Sequence, residues 1–257
     1  MLNARNTNIV FVILLAVIIV ADNQLDISVW YYVMLIVGYI LLQTYGCLFV
    51  SAGFFVPIRW KGAPQSNAVA ITFDDGPLPA LTDKVLEILK SHQAQAAFFC
   101  IGHRVEKHPE IISRIHEQGH IVGNHTFLHG KFFDLQLPSK MYNELQNTDY
   151  VIENAIGRKP RFFRPPYGVT NPALAYAIRK GGYVTMGWSV RSFDTVSKED
   201  EKLFNRVTQN LKGGDVILFH DYCEITIRIL PRVLEHINKI GLKVVRLDTL
   251  MNEQPYV

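Results

Sequence analysis

The feature that most limits how this chain can fold is the apolar character of its first sixty residues. From Ile9 to Ala21 the chain is continuously apolar, and from Val29 to Ile58 it is apolar again, with Gln43 and Thr44 as the main polar interruptions. A helix needs roughly 20 apolar residues to cross about 30 Å of hydrocarbon. The second segment meets that length with some tilt, and Trp30, Tyr31 and Tyr32 suit an interfacial belt at its start. The first segment reaches only about 20 Å at 1.5 Å per residue, so it reads as a thin span, a re-entrant piece or a signal-type segment behind Arg5. No small-x-small cleavage site precedes Asp22, which speaks against cleavage. The expectation is a membrane region over residues 1–60, touching the bilayer through residues 9–58, ahead of a catalytic domain over residues 61–257. Arg5, Arg59 and Lys61 flank the apolar stretches, whereas the connection between them carries Asp22 and Asp26 and no Lys or Arg. By the positive-inside rule that pattern favours a hairpin in a bacterial-type plasma or inner membrane, with the domain in the cytoplasm.

The formal net charge of +3 is small and evenly spread, which excludes a nucleic-acid-binding surface as the organising feature. Cys47, Cys100 and Cys223 form no CxxC pair, so neither a zinc ribbon nor a disulfide framework is indicated. Nothing in the sequence points to a protein partner.

After residue 61 the texture becomes that of a soluble domain. Ala68–Phe73 is a short apolar run that stops at Asp-Asp-Gly-Pro, as a buried strand ends in a turn. Helical spacing over Leu81–Ser91 precedes a second apolar run at Ala96–Ile101. Further strands are expected at His120–Gly123, Arg161–Phe163, Tyr183–Ser189, Asp215–Phe219 and Leu242–Arg246. Helices are expected at Pro109–Gln118, Ser139–Ile156, Pro172–Lys180, Lys198–Leu211 and Ile225–Ile240. This alternation predicts an α/β domain on a parallel sheet of about seven strands, open or closed. Reactive groups in such folds collect at the carboxyl ends of the strands. Asp74, Asp75, His125, Arg164, Asp194 and His220 all fall at or just beyond such ends.

His125-Thr-Phe-Leu-His129 reads as two imidazoles on one face of a helical turn, close enough to share a cation. An isolated pair of this spacing is more readily two ordinary surface or capping histidines. Two His plus one carboxylate is, however, a catalytic metal arrangement, and Asp74-Asp75 supplies the carboxylate with a second to spare. Adjacent carboxylates in a tight turn need a cation, a donor or a proton, unless they merely cap the turn before Gly76-Pro77. Arg164-Pro-Pro-Tyr-Gly168 is either a rigid connection or a device that holds an arginine and a backbone donor in place.

Together and in this order, Thr72-Phe-Asp-Asp-Gly-Pro77, His125-Thr-Phe-Leu-His129, Arg164-Pro-Pro-Tyr167 and Leu218-Phe-His220 resemble the polysaccharide deacetylase family, carbohydrate esterase family four. The resemblance runs from about Val69 to Leu250. It implies a distorted (β/α) barrel that hydrolyses the N-acetyl amide of an amino sugar in a glycan or a lipid-linked saccharide. By position, Asp75, His125 and His129 would hold a divalent metal, zinc first, with cobalt or nickel as alternatives. Asp74 would be the general base, and Arg164 would hold it. The main-chain N–H of Tyr167 would bind the oxyanion, and Leu218 would line the acyl pocket. His220 would be the general acid, oriented by Asp194.

One motif departs from the family pattern. Where an acidic-small-x-Asp-Trp stretch is usual, this chain has Arg191-Ser-Phe-Asp194-Thr195. The core mechanism should stand, but the analogy to long polymers weakens, and Arg191 becomes a candidate contact to an anionic substrate. The alternatives are a deformylase or deacetylase confined to a lipid-linked sugar, an inactive membrane-tethered glycan-binding protein, and a membrane protein with a purely scaffolding domain. The last gives no reason for the ordered Asp, His and Arg positions.

Overall fold

A computed structural model describes residues 2–257. It begins with two antiparallel helices, α1 (Ala4–Leu25) and α2 (Trp30–Leu48). α1 is longer than the apolar run predicted. Asn3 caps its start by accepting the Asn6 N–H, and the helix runs on through Asp22 to Leu25. Its 22 residues span about 33 Å. The polar residues of the pair meet one another: Tyr39 Oη and Gln43 Nε2 both donate to Asn8 Oδ1, and Tyr32 Oη donates to Asp22. α2 ends earlier than the second apolar segment does. Phe54, Phe55 and Val56 are buried against Phe133, Met141, Leu145 and Phe163 in the domain, so the apolar stretch up to Ile58 splits between two environments. Both helices are long and apolar enough to cross a membrane.

The domain then runs β1 (Ile58–Arg59), β2 (Ala68–Asp74), α3 (Leu81–Ser91), β3 (Ala97–Cys100), α4 (Gly102–Lys107), α5 (Pro109–Glu117) and β4 (Ile121–Asn124). It continues through α6 (Pro138–Ile156), β5 (Phe162–Phe163), α7 (Pro172–Gly181), β6 (Val184–Met186) and β7 (Val190–Arg191). It closes with α8 (Asp200–Thr208), β8 (Val216–His220), α9 (Glu224–Lys239), β9 (Lys243–Val244) and α10 (Leu247–Met251). All the strand pairings are parallel, in the order β1-β6-β5-β4-β3-β2-β8-β7, with β9 added to β2. β1 and β7 are the two end strands, each with a single neighbour, so the sheet curls into a partial barrel without closing.

Central β2 is buried along its whole length, as a parallel strand covered on both faces must be. Side chains alternate across it. Val69, Ile71 and Phe73 face the outer helices with Ile217, Phe219, Leu230 and Val233. Ala70 faces inward with Ala97, Phe99, Phe162, Met186 and Val216. That inward row continues through Thr72 to Asp74, so the strand delivers a carboxylate to the mouth of the barrel. Four of the described α and β elements lay outside the predicted pattern. β1 and β7 have only two residues each, too short for a visible alternation, and α4 and α10 are helices of six and five residues.

Candidate active site

Asp74 is the last residue of β2, and Asp75 is the first beyond it. Asp75 adopts a left-handed backbone, φ 72°, which turns its carboxyl away from Asp74. Its Oδ1 lies 3.3 Å from His125 Nε2 and 3.4 Å from His129 Nε2. That oxygen is buried and accepts no hydrogen bond. A buried, unpartnered carboxylate oxygen facing two imidazole nitrogens is costly. These three ligand atoms lie within 4.8 Å of one another, a two-His, one-carboxylate set of the kind that suits a divalent metal.

The segment carrying the histidines is not the helical turn expected from its spacing. Thr126 and His129 both have positive φ, 63° and 51°, which a right-handed helix forbids. The N–H groups of Phe127 and Leu128 are claimed by Glu144 Oε2 from α6, at 3.1 and 2.9 Å. Asn124 accepts the Thr126 N–H and donates to Asp149 and to the Leu145 carbonyl. The imidazoles therefore converge because a loop is pinned to α6. His125 Nδ1 donates to the Arg164 carbonyl at 2.8 Å, which leaves Nε2 as the lone-pair nitrogen facing Asp75.

Asp74 has a different environment. Arg164 is fully buried, and its Nη1 donates to Asp74 Oδ1 at 2.7 Å and to Thr72 Oγ1 at 2.8 Å. Its Nη2 donates to the Gly187 carbonyl, and its guanidinium lies 4.1 Å from the Phe99 ring centre. Asp74 Oδ2 remains, 3.9 Å from His125 Nε2. Burial depresses Arg164, with the Asp74 charge opposing that shift.

On the far side, His220 ends β8. Its Nδ1 donates to Asp194 Oδ1 at 2.8 Å, and its main-chain N–H donates to Asp194 Oδ2. Thr226 donates to the same Oδ2. Burial pushes the Asp194 carboxyl up, but the hydrogen bond and charge of His220 outweigh it and hold the group below the usual range. Burial likewise disfavours the charged His220, and the bond to Asp194 reverses this, so its pKa is raised. His220 Nε2 is thereby left free to face the mouth, 3.9 Å from Asp75 Oδ2.

Tyr167 also has positive φ, 58°, and its ring packs edge-on against His129 at 4.9 Å. The glycine after it cannot be replaced: a Cβ on Gly168 would lie 2.5 Å from the Trp188 ring, at φ +73°. Leu218 is buried between outward-facing Ile217 and Phe219, so it points into the barrel on the same face as His220. Arg191 stands apart from the titratable cluster. It is exposed and stacks on Phe193 at 4.6 Å, and the ion pairs among the described residues leave Asp194 to His220. Sequence reasoning missed Thr72, Asn124, Glu144 and Trp188. Glu144 carried a readable signal, as an acid, like Asp149, on the helix face that bears Met141, Leu145 and Ile152. Among the described residues, five of the nine non-glycine residues with positive φ, namely Asp75, Thr126, His129, Tyr167 and Phe193, ring this site, as strained backbone does at functional sites.

The model of the polysaccharide deacetylase family matches residues 61–186. A peptidoglycan-N-acetylglucosamine deacetylase of Bacillus cereus is 32% identical over 199 residues, covering 76% of this chain and 92% of that protein. A chitooligosaccharide deacetylase of Azorhizobium caulinodans is 35% identical over 160 residues, covering 62% of this chain and 76% of the relative. Among solved structures, the Bc1960 peptidoglycan N-acetylglucosamine deacetylase superposes with a TM-score of 0.72 at 29% identity, covering 77% of this chain and 94% of that one.

Proposed function

The chain belongs to the polysaccharide deacetylase family, and on that premise we propose how its own residues carry out the hydrolytic N-deacetylation of an amino sugar, with release of acetate. The observation that carries the reading is the contrast between two adjacent carboxylates. Asp75 Oδ1 is buried and unpartnered between two histidines, while Asp74 is locked to Arg164.

Asp75, His125 and His129 are the proposed holders of the divalent metal that the family implies. The donor set fits zinc first and accepts cobalt or nickel. When bound, such an ion polarises an amide carbonyl and lowers the pKa of water. Asp74 Oδ2 is the proposed general base, since Oδ1 is engaged by Arg164 and only Oδ2 can take the proton of an attacking water. Arg164 positions that carboxylate. The Tyr167 N–H is the proposed donor to the tetrahedral oxyanion, a contact worth several kcal/mol in a preorganised site. Leu218, inside the barrel mouth, bounds the acetyl methyl. His220 Nε2 is the proposed acid that protonates the leaving nitrogen, because an amine departs poorly as an anion. Asp194, accepting from Nδ1–H, stabilises the imidazolium form in which Nε2 carries the proton to be donated.

The substrate class is an N-acetylated saccharide of the kind named for the relatives. We read α1 and α2 as a membrane hairpin. The Ala4 N–H donates to the Phe54 carbonyl at 2.8 Å, so the start of α1 and the residues after α2 meet on the domain's side. The basic flanks Arg5, Arg59 and Lys61 favour the cytoplasm for that side. An alkaline phosphatase fused after Val257 should then be silent, and a fluorescent protein there should glow. Activity itself is tested by mass spectrometry of N-acetylated oligosaccharides and lipid-linked amino sugars after incubation with the zinc-loaded protein. Loss of one acetyl mass, abolished by chelation, is expected. No mass change on any such substrate would overturn the reading.

A further inference from the structure

The way the domain sits on its hairpin has a consequence for the mouth of the site. The domain is not hung from α2 by a linker. Thr170 donates its main-chain N–H to the Cys47 carbonyl at 3.1 Å and its hydroxyl to the Gly46 carbonyl at 3.2 Å. Both acceptors lie inside the last turn of α2, with Leu48 and Phe49 exposed beyond them. Gly46 has no room for a side chain there, since a Cβ would meet the Phe54 ring at 2.2 Å. Thr170 lies two residues beyond the Pro165–Gly168 turn that bears Tyr167, so one wall of the site stands level with the end of an apolar helix.

A second segment is tied to the same point. Asn171 Nδ2 donates to the Asp134 carbonyl at 2.7 Å, and Phe133 is buried with Phe54 and Phe55. Around that buried anchor, Leu128, Phe132, Leu135 and Leu137 are 57%, 74%, 81% and 72% exposed. Leu128 lies between the two proposed histidine ligands, so this apolar edge begins at the mouth itself. Exposed Lys131 and Lys140 flank it, and Asp134, its acidic residue, is half-buried. Apolar side chains on a braced loop, with lysines beside them, are what a lipid headgroup region accommodates.

We propose that Leu128, Phe132, Leu135 and Leu137 form a second contact with the bilayer, which holds the mouth of the site at the lipid surface, where it takes an amino sugar carried on a lipid. The occupant is the leaflet because the edge is continuous, through Thr170 and Asn171, with the end of a helix long and apolar enough to span it. The substrate half of the proposal rests on the deacetylase reading above; the contact rests only on the hairpin.

Nitroxide labels on the full-length protein in phosphatidylcholine–phosphatidylglycerol vesicles test it. In a Cys47→Ser background, with Cys100 and Cys223 buried, labels are placed singly at Leu135→Cys, Leu41→Cys on α2, and Glu117→Cys at the opposite pole of the sheet. Collision rates with oxygen and with a neutral water-soluble nickel chelate are compared. The oxygen-to-nickel ratio should be several-fold higher at 135 than at 117, and highest at 41. A ratio at 135 equal to that at 117, with 41 high, would overturn the contact. Shielding of 135 from both reagents would mean a protein partner instead and overturn it too. A low ratio at 41 would remove the hairpin reading on which it stands. For the substrate half, Leu135→Ser/Leu137→Ser should lower turnover of a vesicle-borne N-acetylated amino sugar several-fold while sparing a soluble oligosaccharide. Equal loss on both substrates, or on neither, would overturn that half.

Discussion

Arg164 Nη1 lies 2.7 Å from Asp74 Oδ1 in a fully buried pair, and this bond decides which oxygen of Asp74 remains available for chemistry. The guanidinium also satisfies Thr72, the Gly187 carbonyl and, at 3.4 Å, the Met186 carbonyl. Arg164→Ala leaves a buried carboxylate and several acceptors unpaired, and breaking such a pair costs about 3–5 kcal/mol. The melting temperature should fall by many degrees with turnover. Arg164→Lys keeps the charge but not the fork, so it should recover part of the stability and little activity. A fully stable Arg164→Ala would contradict this account of the pair.

A pH effect on stability follows from a residue remote from the proposed metal site. His120 is 3% exposed, and its Nδ1 accepts the Ala96 N–H at 3.1 Å, which only a neutral ring can do. Burial, aided by Arg246, pushes its pKa down to about 4. In the unfolded chain it returns to about 6.5. Between those values the unfolded state binds a proton that the folded state refuses, so stability rises with pH across the window. It is fully present above about pH 6.5 and is lost on acidification toward pH 4, to the extent of about 3 kcal/mol. Denaturant titrations at a series of pH values should show wild type losing its advantage over His120→Asn through that range. Parallel curves for the two proteins would refute the assignment.

Arg191 occupies a position where the family's pattern carries an acid. It stacks on Phe193 and, at 5.8 Å, on Trp188, so its charge stays solvent-facing and available. If it reads an anionic carrier, Arg191→Ala should raise KM for a phosphate-bearing amino sugar by roughly tenfold, the worth of about 1.4 kcal/mol, and leave a neutral oligosaccharide unchanged. Equal effects on the two substrates would reduce Arg191 to packing.

Much of this arrangement was legible in the sequence because burial and strand ends are local signals. The run Ala68–Phe73 declared a buried strand, and Asp74-Asp75 had to lie at its carboxyl end. The spacing of His125 and His129 suggested one shared cation, yet for the wrong local reason. A helical turn was expected, and a loop held by Glu144 and Asn124 delivers the same convergence. Such long-range hydrogen bonds leave no periodic trace. The apolar count before Ile58 could not show that Phe54–Val56 belong to the domain core, because hydropathy records burial without saying whether lipid or protein does the burying. The sequence could not show that Asp194 pairs with His220 and leaves the nearby Arg191 to solvent.

The central claim is that Asp74 and Asp75, one residue apart, have separate tasks. It is tested most directly by measuring bound metal and acetate release together in Asp74→Asn and Asp75→Asn. The account predicts that Asp74→Asn keeps its metal and loses about 10²–10⁴ in turnover, the usual contribution of a general base, while Asp75→Asn loses metal and turnover together. An Asp74→Asn protein as active as wild type, or an Asp75→Asn protein that holds metal at full stoichiometry, would contradict it.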